Sequence, residues 1–222
     1  MKYLSFFILL FIGELSVSAQ HMFSRQFPFF NQLSSNEIFS IHQDREGYFW
    51  IGTTNGLARY DGYQLNTFRT DYKNQNLLTD NGITAINDND LYVWIGTWKG
   101  LNLYNKQTCQ ITPFSDVRLL DKVVDAITVD KDGNVWVSAG GMIYRCDSTA
   151  HIIKEYEVGN IQEGYAISNI YVDQQKQLWA VGSRGIFRYE PETDSFFRYP
   201  PLGNGHTAYN FQAVFLLYST FE

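Results

Sequence analysis

Four tryptophans set the rhythm of this chain. Trp50, Trp94, Trp136 and Trp179 stand 44, 42 and 43 residues apart, and their surroundings recur with them. Twelve, nine and six residues before Trp50 lie Ile38, Ile41 and Asp44. The same offsets give Val124, Ile127 and Asp130 before Trp136, and Ile167, Ile170 and Asp173 before Trp179. In the second unit Ile83 and Ile86 sit one residue closer to Trp94, because the turn Asp88-Asn89-Asp90 is shorter. Ten residues past each Trp stand Tyr60, Tyr104, Cys146 and Tyr189. A period of this length is the signature of a repeat architecture in which each unit buries its apolar surface against its neighbours.

Within a unit the punctuation is that of β-hairpins. In the first, short strands are expected at Ile38–His42, Tyr48–Thr53, Leu57–Tyr60 and Leu65–Arg69. They are separated by Asn55-Gly56 and Asp61-Gly62, dipeptides that supply the positive φ of tight turns. Tyr48-Phe49-Trp50-Ile51 is apolar on both faces, so that strand must be covered on both sides. A helical repeat fails because Gly interrupts every stretch before two helical turns can form. An aromatic content of 17 % and a charged content of only 18 % agree with a β-rich chain. The expected fold is an all-β propeller of four four-stranded blades. The boundaries are 36–80, 81–121, 122–164 and 165–209, after a lead-in at 20–35. Residues 210–222 open a fifth blade with Phe211 and Val214, but Glu222 stands where its Trp is due. The propeller is therefore expected to be incomplete, a truncated product or fragment, with a closed four-bladed ring as the rival.

The unit complete in residues 38–60, Ile-x-x-Ile-x-x-Asp-x-x-Gly-x-x-Trp-Ile-Gly-Thr-x-x-Gly-Leu-x-x-Tyr, resembles the two-component regulator propeller repeat. The resemblance spreads over about residues 22–215. It departs in unit three, which lacks Gly-Thr and carries Cys146 for Tyr, and in unit four, which lacks Asp-Gly in its first turn. It implies the periplasmic ligand-sensing region of a hybrid two-component regulator of the glycan-degrading Bacteroidetes type, in which ligand binding shifts a dimer and its cytoplasmic kinase. The implied ligand is a small oligosaccharide or another soluble molecule. A homodimer or further blades of a parent protein are the implied partners. No kinase, phosphoacceptor or membrane-helix motif is found in these residues, so the chain itself is not expected to be an enzyme.

Residues 1–19 read as a secretory signal: Lys2, then the apolar run Leu4–Ile12, then small residues up to Ala19. The run stops at Gly13-Glu14, short of the roughly 20 residues a spanning helix needs. A periplasmic or secreted address follows, with no membrane span. The net charge of −6 offers no basic footprint for nucleic acid.

Chemistry is sparse. Asp44, Asp130 and Asp173 occupy one place in separate units, the first, third and fourth, which makes them turn residues rather than one acidic site. Asp130-Lys131-Asp132-Gly133-Asn134 imitates part of a calcium loop, but position twelve is Gly141. His21, His42, His151 and His206 are scattered. No catalytic residue, metal or cofactor is therefore assigned. Cys109 and Cys146 are not equivalent in the repeat, and a disulfide and two free thiols stay equally open. The loops between second and third strands are the expected binding loops: Thr54-Asn55, Trp98-Lys99, Gly140-Gly141 and Ser183-Arg184. Trp98 stands outside the repeat register, and with Lys99 it suits an anionic sugar, the ring stacking and the cation pairing with sulfate or carboxylate. Packing of Trp98 between blades is the rival. The ligand-binding set is Trp98, Lys99, Thr54, Asn55 and Arg184. The repeat core is Trp50, Trp94, Trp136, Trp179, Asp44, Asp130, Asp173, Tyr60, Tyr104 and Tyr189. A propeller enzyme, either a lyase or a quinone-dependent dehydrogenase, and a periplasmic interaction scaffold are the other functional classes.

Overall fold

A computed structural model of the chain describes residues 29–70, 77–158, 167–183 and 185–199. The leader, most of the lead-in, Arg184 and the expected opening of a fifth blade lie outside the described residues. Among the described residues sixteen strands form four antiparallel sheets, each a simple up-and-down meander. Blade 1 holds β1 (Ile38–Gln43), β2 (Phe49–Thr53), β3 (Gly56–Tyr60) and β4 (Leu65–Phe68). Blade 2 holds β5 (Ile83–Asp88), β6 (Tyr92–Thr97), β7 (Gly100–Asn105) and β8 (Gln110–Pro113). Blade 3 holds β9 (Val124–Val129), β10 (Val135–Ala139), β11 (Met142–Cys146) and β12 (Ile152–Glu157). Blade 4 holds β13 (Ile167–Val172), β14 (Leu178–Gly182), β15 (Gly185–Glu190) and β16 (Ser195–Arg198). The first strands lie innermost and side by side, β1 against β5, β5 against β9 and β9 against β13. β13 makes no comparable contact with β1, so the four described blades form an open arc.

The recurring residues explain the stacking. Trp50, Trp94 and Trp136 are buried, each pointing into the core between its own blade and the next. Tyr104 of blade 2 meets Trp50 edge-on at 4.8 Å, and Tyr189 of blade 4 meets Trp136 at 4.9 Å. The Gly of the Ile-Gly-Thr motif has a steric purpose. A Cβ on Gly52 would lie 2.6 Å from Ile83 Cγ2, and one on Gly96 would lie 2.6 Å from Val124 Cγ1. Only Gly lets the next blade's first strand come so close. Ser138 takes that place in blade 3 and donates its hydroxyl to the Ile167 carbonyl at 3.0 Å. The motif's Thr staples the following turn: Thr53 Oγ1 donates to the Gly56 carbonyl and Thr97 Oγ1 to the Gly100 carbonyl, at 2.9 and 2.8 Å.

Blade 1 departs from the expected core. Ile38 and Ile41 are 39 % and 63 % exposed, whereas Ile83, Ile86, Val124, Ile127, Ile167 and Ile170 are buried. Tyr60 is only half-buried; its hydroxyl donates to the Gly62 carbonyl and its ring leans on Phe29. The reason is positional. These side chains face the preceding blade, and among the described residues blade 1 has none. At the other end Trp179 is half-buried and meets Tyr199 at 5.2 Å.

Candidate functional site

The arc has two rims. One carries the turns between second and third strands together with the starts of the innermost strands. The other carries the hairpins within which the aspartates lie.

On the hairpin rim the repeat aspartates are fully engaged. Asp44 Oδ1 accepts from the backbone N–H of Glu46 and Tyr48, and its Oδ2 accepts from the Trp50 indole at 2.7 Å. Asp130 does the same for Asp132, Asn134 and Trp136, whose indole N–H lies 2.8 Å from Oδ2. Asp173 accepts from Gln177 N and from the Trp179 indole at 2.8 Å. The calcium-like run of blade 3 is thus a hairpin turn whose aspartate is saturated by donors. Blade 2 differs. Asn89 occupies the equivalent turn position, its amide nitrogen is committed to the Ser148 carbonyl, and the buried Trp94 indole N–H has no acceptor.

Asp88, beside it, is instead a clamp between blades 1 and 2. It accepts from His42 Nε2 at 2.7 Å, from Lys106 Nζ at 2.6 Å and from Arg45 N at 3.3 Å. Burial raises its pKa, but those three donors outweigh burial and hold the carboxyl at about 2. A second clamp joins blades 3 and 4. Asp194 accepts from Lys154 Nζ at 2.5 Å and from the hydroxyls of Tyr156 and Tyr189 at 2.6 Å each. Here too donors overcome burial and hold the acid at about 2. Both clamps satisfy their own charges, so neither is left to act on a ligand.

On the loop rim the expected ligand set divides. Thr54 and Asn55 are drawn into the scaffold: Thr54 Oγ1 donates to Ser35 Oγ at 2.8 Å, and the Asn55 amide donates to the Ser34 carbonyl at 3.3 Å. Trp98 packs its ring over Gly82, where a Cβ would come within 2.3 Å, yet stays 44 % exposed. Its ring meets Phe39 of blade 1 edge-on at 6.3 Å. Trp98 therefore both bridges blades and presents an open face. Lys99 lies open with its Nζ 3.7 Å from Asp80 Oδ2, which offsets the cation expected to pair with an anionic sugar. Arg184 lies outside the described residues. Sequence reasoning missed Phe39 as the second member of the aromatic pair. It sits one place after Ile38 in a strand whose alternation hides it. Cys109 is exposed and Cys146 buried, both as free thiols, and burial pushes the Cys146 thiol up to about 12. No described helix is long and apolar enough to cross a membrane.

Residues 32–55 match the family model described as two component regulator propeller. No curated protein matches the chain in sequence. Among solved structures, the extracellular domain of a one component system from B. thetaiotaomicron is 22 % identical with a TM-score of 0.56, over 70 % of this chain and 21 % of that one. The extracellular domain of a hybrid two component system from the same organism is 21 % identical with a TM-score of 0.51, over 74 % of this chain and 30 % of its own. Virginiamycin B lyase from Staphylococcus aureus is 15 % identical with a TM-score of 0.59, over 76 % and 58 %. The chain spans about a fifth of the first of these proteins. Likeness at these identities establishes the propeller scaffold of four stacked blades, and within it residues 32–55, from the lead-in to the turn after β2, are similar to the two component regulator propeller model.

Proposed function

We propose that this chain is the ligand-sensing propeller segment of an exported two-component regulator, and that its ligand is a glycan. The observation that carries the reading is the open aromatic pair, Phe39 and Trp98, on the loop rim of a scaffold bearing the regulator repeat. Export through the leader at residues 1–19 would place the blades in the periplasm, where a soluble glycan is met. The exposed apolar face of blade 1 and the half-buried Trp179 of blade 4 suit further blades of a longer parent chain as neighbours. The histidines of the described blades serve structure: His42 holds Asp88, and His151 shares the turn at Asp147. Recognition without turnover is therefore the proposed activity.

A thermal-shift screen of the purified chain against soluble oligosaccharides tests this, run beside a product assay on the same mixtures. A ligand that binds only the folded state must raise the melting temperature, and the rise must grow with the logarithm of ligand concentration above its Kd. Stabilisation with unchanged sugar is the expected result. Consumption of the sugar would make the chain an enzyme, and no shift with any glycan would end the sensing assignment.

A further inference from the structure

Every blade opens its innermost strand with the same distortion. The β1–β2 register passes from Ile38 opposite Thr53 to Ser40 opposite Gly52, leaving Phe39 as an extra residue. The same skip leaves Thr84 in β5, Asp125 in β9 and Ser168 in β13. A β-bulge leaves one residue unpaired and re-aims its side chain, and such bulges concentrate beside binding sites. Because β1, β5, β9 and β13 lie side by side, the four bulges follow one another round the inner edge of the loop rim. The geometry is constant while the residue changes from Phe to Thr to Asp to Ser. Constant placement with varied chemistry is what a reading surface needs, whereas a bulge serving strand twist alone sets no such chemistry.

The chemistry at these places is specific. Phe39 is 57 % exposed beside the open Trp98, a pair with apolar area on show. Thr84 and Ser168 already donate their hydroxyls to the carbonyls of Val124 and Val181. Asp125 is different. It is exposed, and no described group donates to it or pairs with it. Surrounding protein nevertheless crowds the carboxyl enough to push its pKa up to about 6, with no donor to offset the desolvation. With no protein donor committed to it, the Asp125 carboxylate is open to accept hydrogen bonds from a ligand in exchange for those from water.

We propose that the bulge ring is a saccharide subsite in which Phe39 and Trp98 form the stacking platform and Asp125 accepts hydrogen bonds from a neutral or amine-bearing sugar. The subsite excludes sulfated and acidic sugars. Asp125 repels an anion, and Lys99, the nearby cation, stands within 4 Å of Asp80 on a chain whose net charge is −6. This reverses the anionic preference that Trp98-Lys99 suggests in the sequence. It rests on the glycan-sensing reading above and deepens it.

The test is calorimetric titration of the full chain with three probes: glucosamine disaccharide, cellobiose and an O-sulfated disaccharide. The first two are expected to bind, and the sulfated sugar to bind at least about tenfold more weakly. Asp125→Asn should weaken binding about tenfold, the scale of one charge-assisted hydrogen bond. Phe39→Ala should weaken it through lost stacking. Both residues are exposed, so the two variants should keep the parent's circular dichroism and should not lower its melting temperature; removing the crowded Asp125 charge shifts it upwards if at all. Tighter binding of the sulfated sugar, or parent-like titration of Asp125→Asn, overturns the subsite. If sugars bind but both variants titrate like the parent, only the subsite falls. If no disaccharide binds, the subsite falls, and the broader oligosaccharide screen decides the sensing reading separately.

Discussion

Three repeat tryptophans donate to the aspartate six residues earlier, and Trp94 does not. That contrast gives an experiment inside one molecule. Trp136→Phe removes the hydrogen bond to Asp130 as well as indole volume, whereas Trp94→Phe removes volume and relieves a buried N–H that has no acceptor. Trp136→Phe should therefore destabilise by about 1.5–3 kcal/mol more than Trp94→Phe, the range for a hydrogen bond to a charged group. Urea unfolding of the two variants reads the difference. The Asp–Trp pairing was legible in the sequence as a constant spacing of six, although spacing alone says only that both residues serve one turn. The indole–carboxylate bond needs the strand to bring Nε1 back over the hairpin, which the register provides and the spacing does not name.

At the scale of the element, the interfaces between blades come in two kinds. Between blades 1 and 2, and again between blades 3 and 4, an arginine lies over the tryptophan: Arg59 is 5.8 Å from the Trp50 ring and Arg145 is 5.4 Å from the Trp136 ring. A tyrosine from the next blade closes each packet. Between blades 2 and 3 the same places hold Leu103 and Cys146, and the packet is apolar, filled by Tyr144 and by Phe114 at 6.0 Å from Trp94. Cys146 for Tyr is thus a matched change rather than decay of the repeat. The Asp88 clamp was invisible in the sequence, which showed only a short acidic turn. Its partners His42, Arg45 and Lys106 lie 46, 43 and 18 positions away, and no periodicity announces a pair made across blades. A folded pKa of about 2 against an ordinary 3.8 means this group's stabilisation is present above about pH 4 and lost as pH falls through about 2. Asp88→Ala leaves Lys106 buried without its anion, so at neutral pH it should cost about 3 kcal/mol. In the variant, the loss of stability on acidification should be shallower than in the parent, as read by denaturant midpoints across that range.

Across the whole molecule, burial depends on a blade's place in the arc. The motif gives Ile41, Ile86, Ile127 and Ile170 the same role, yet only Ile41 faces solvent. Sequence periodicity assigns a residue to a face. Whether that face is covered depends on a neighbour, which is why the repeat core was legible and its failure at blade 1 was not. The candidate site shows the same division: Trp98 stood out by falling outside the register, while the bulges that present Phe39 and Asp125 leave no trace in composition. Ile86→Ala should cost about 2–5 kcal/mol as a cavity in a packed interface, and Ile41→Ala less than about 0.5 kcal/mol as a surface change. Equal losses in denaturant unfolding would mean the first blade is covered after all.

Hydrogen–deuterium exchange across the purified chain tests the central claim, four stacked blades in an open arc, most directly. Exchange follows local packing, so the interior strands β5 and β9 should be the most protected of the innermost set. β1, covered on one side only among the described residues, should exchange markedly faster. Protection of β1 equal to that of β9 would contradict the open arc.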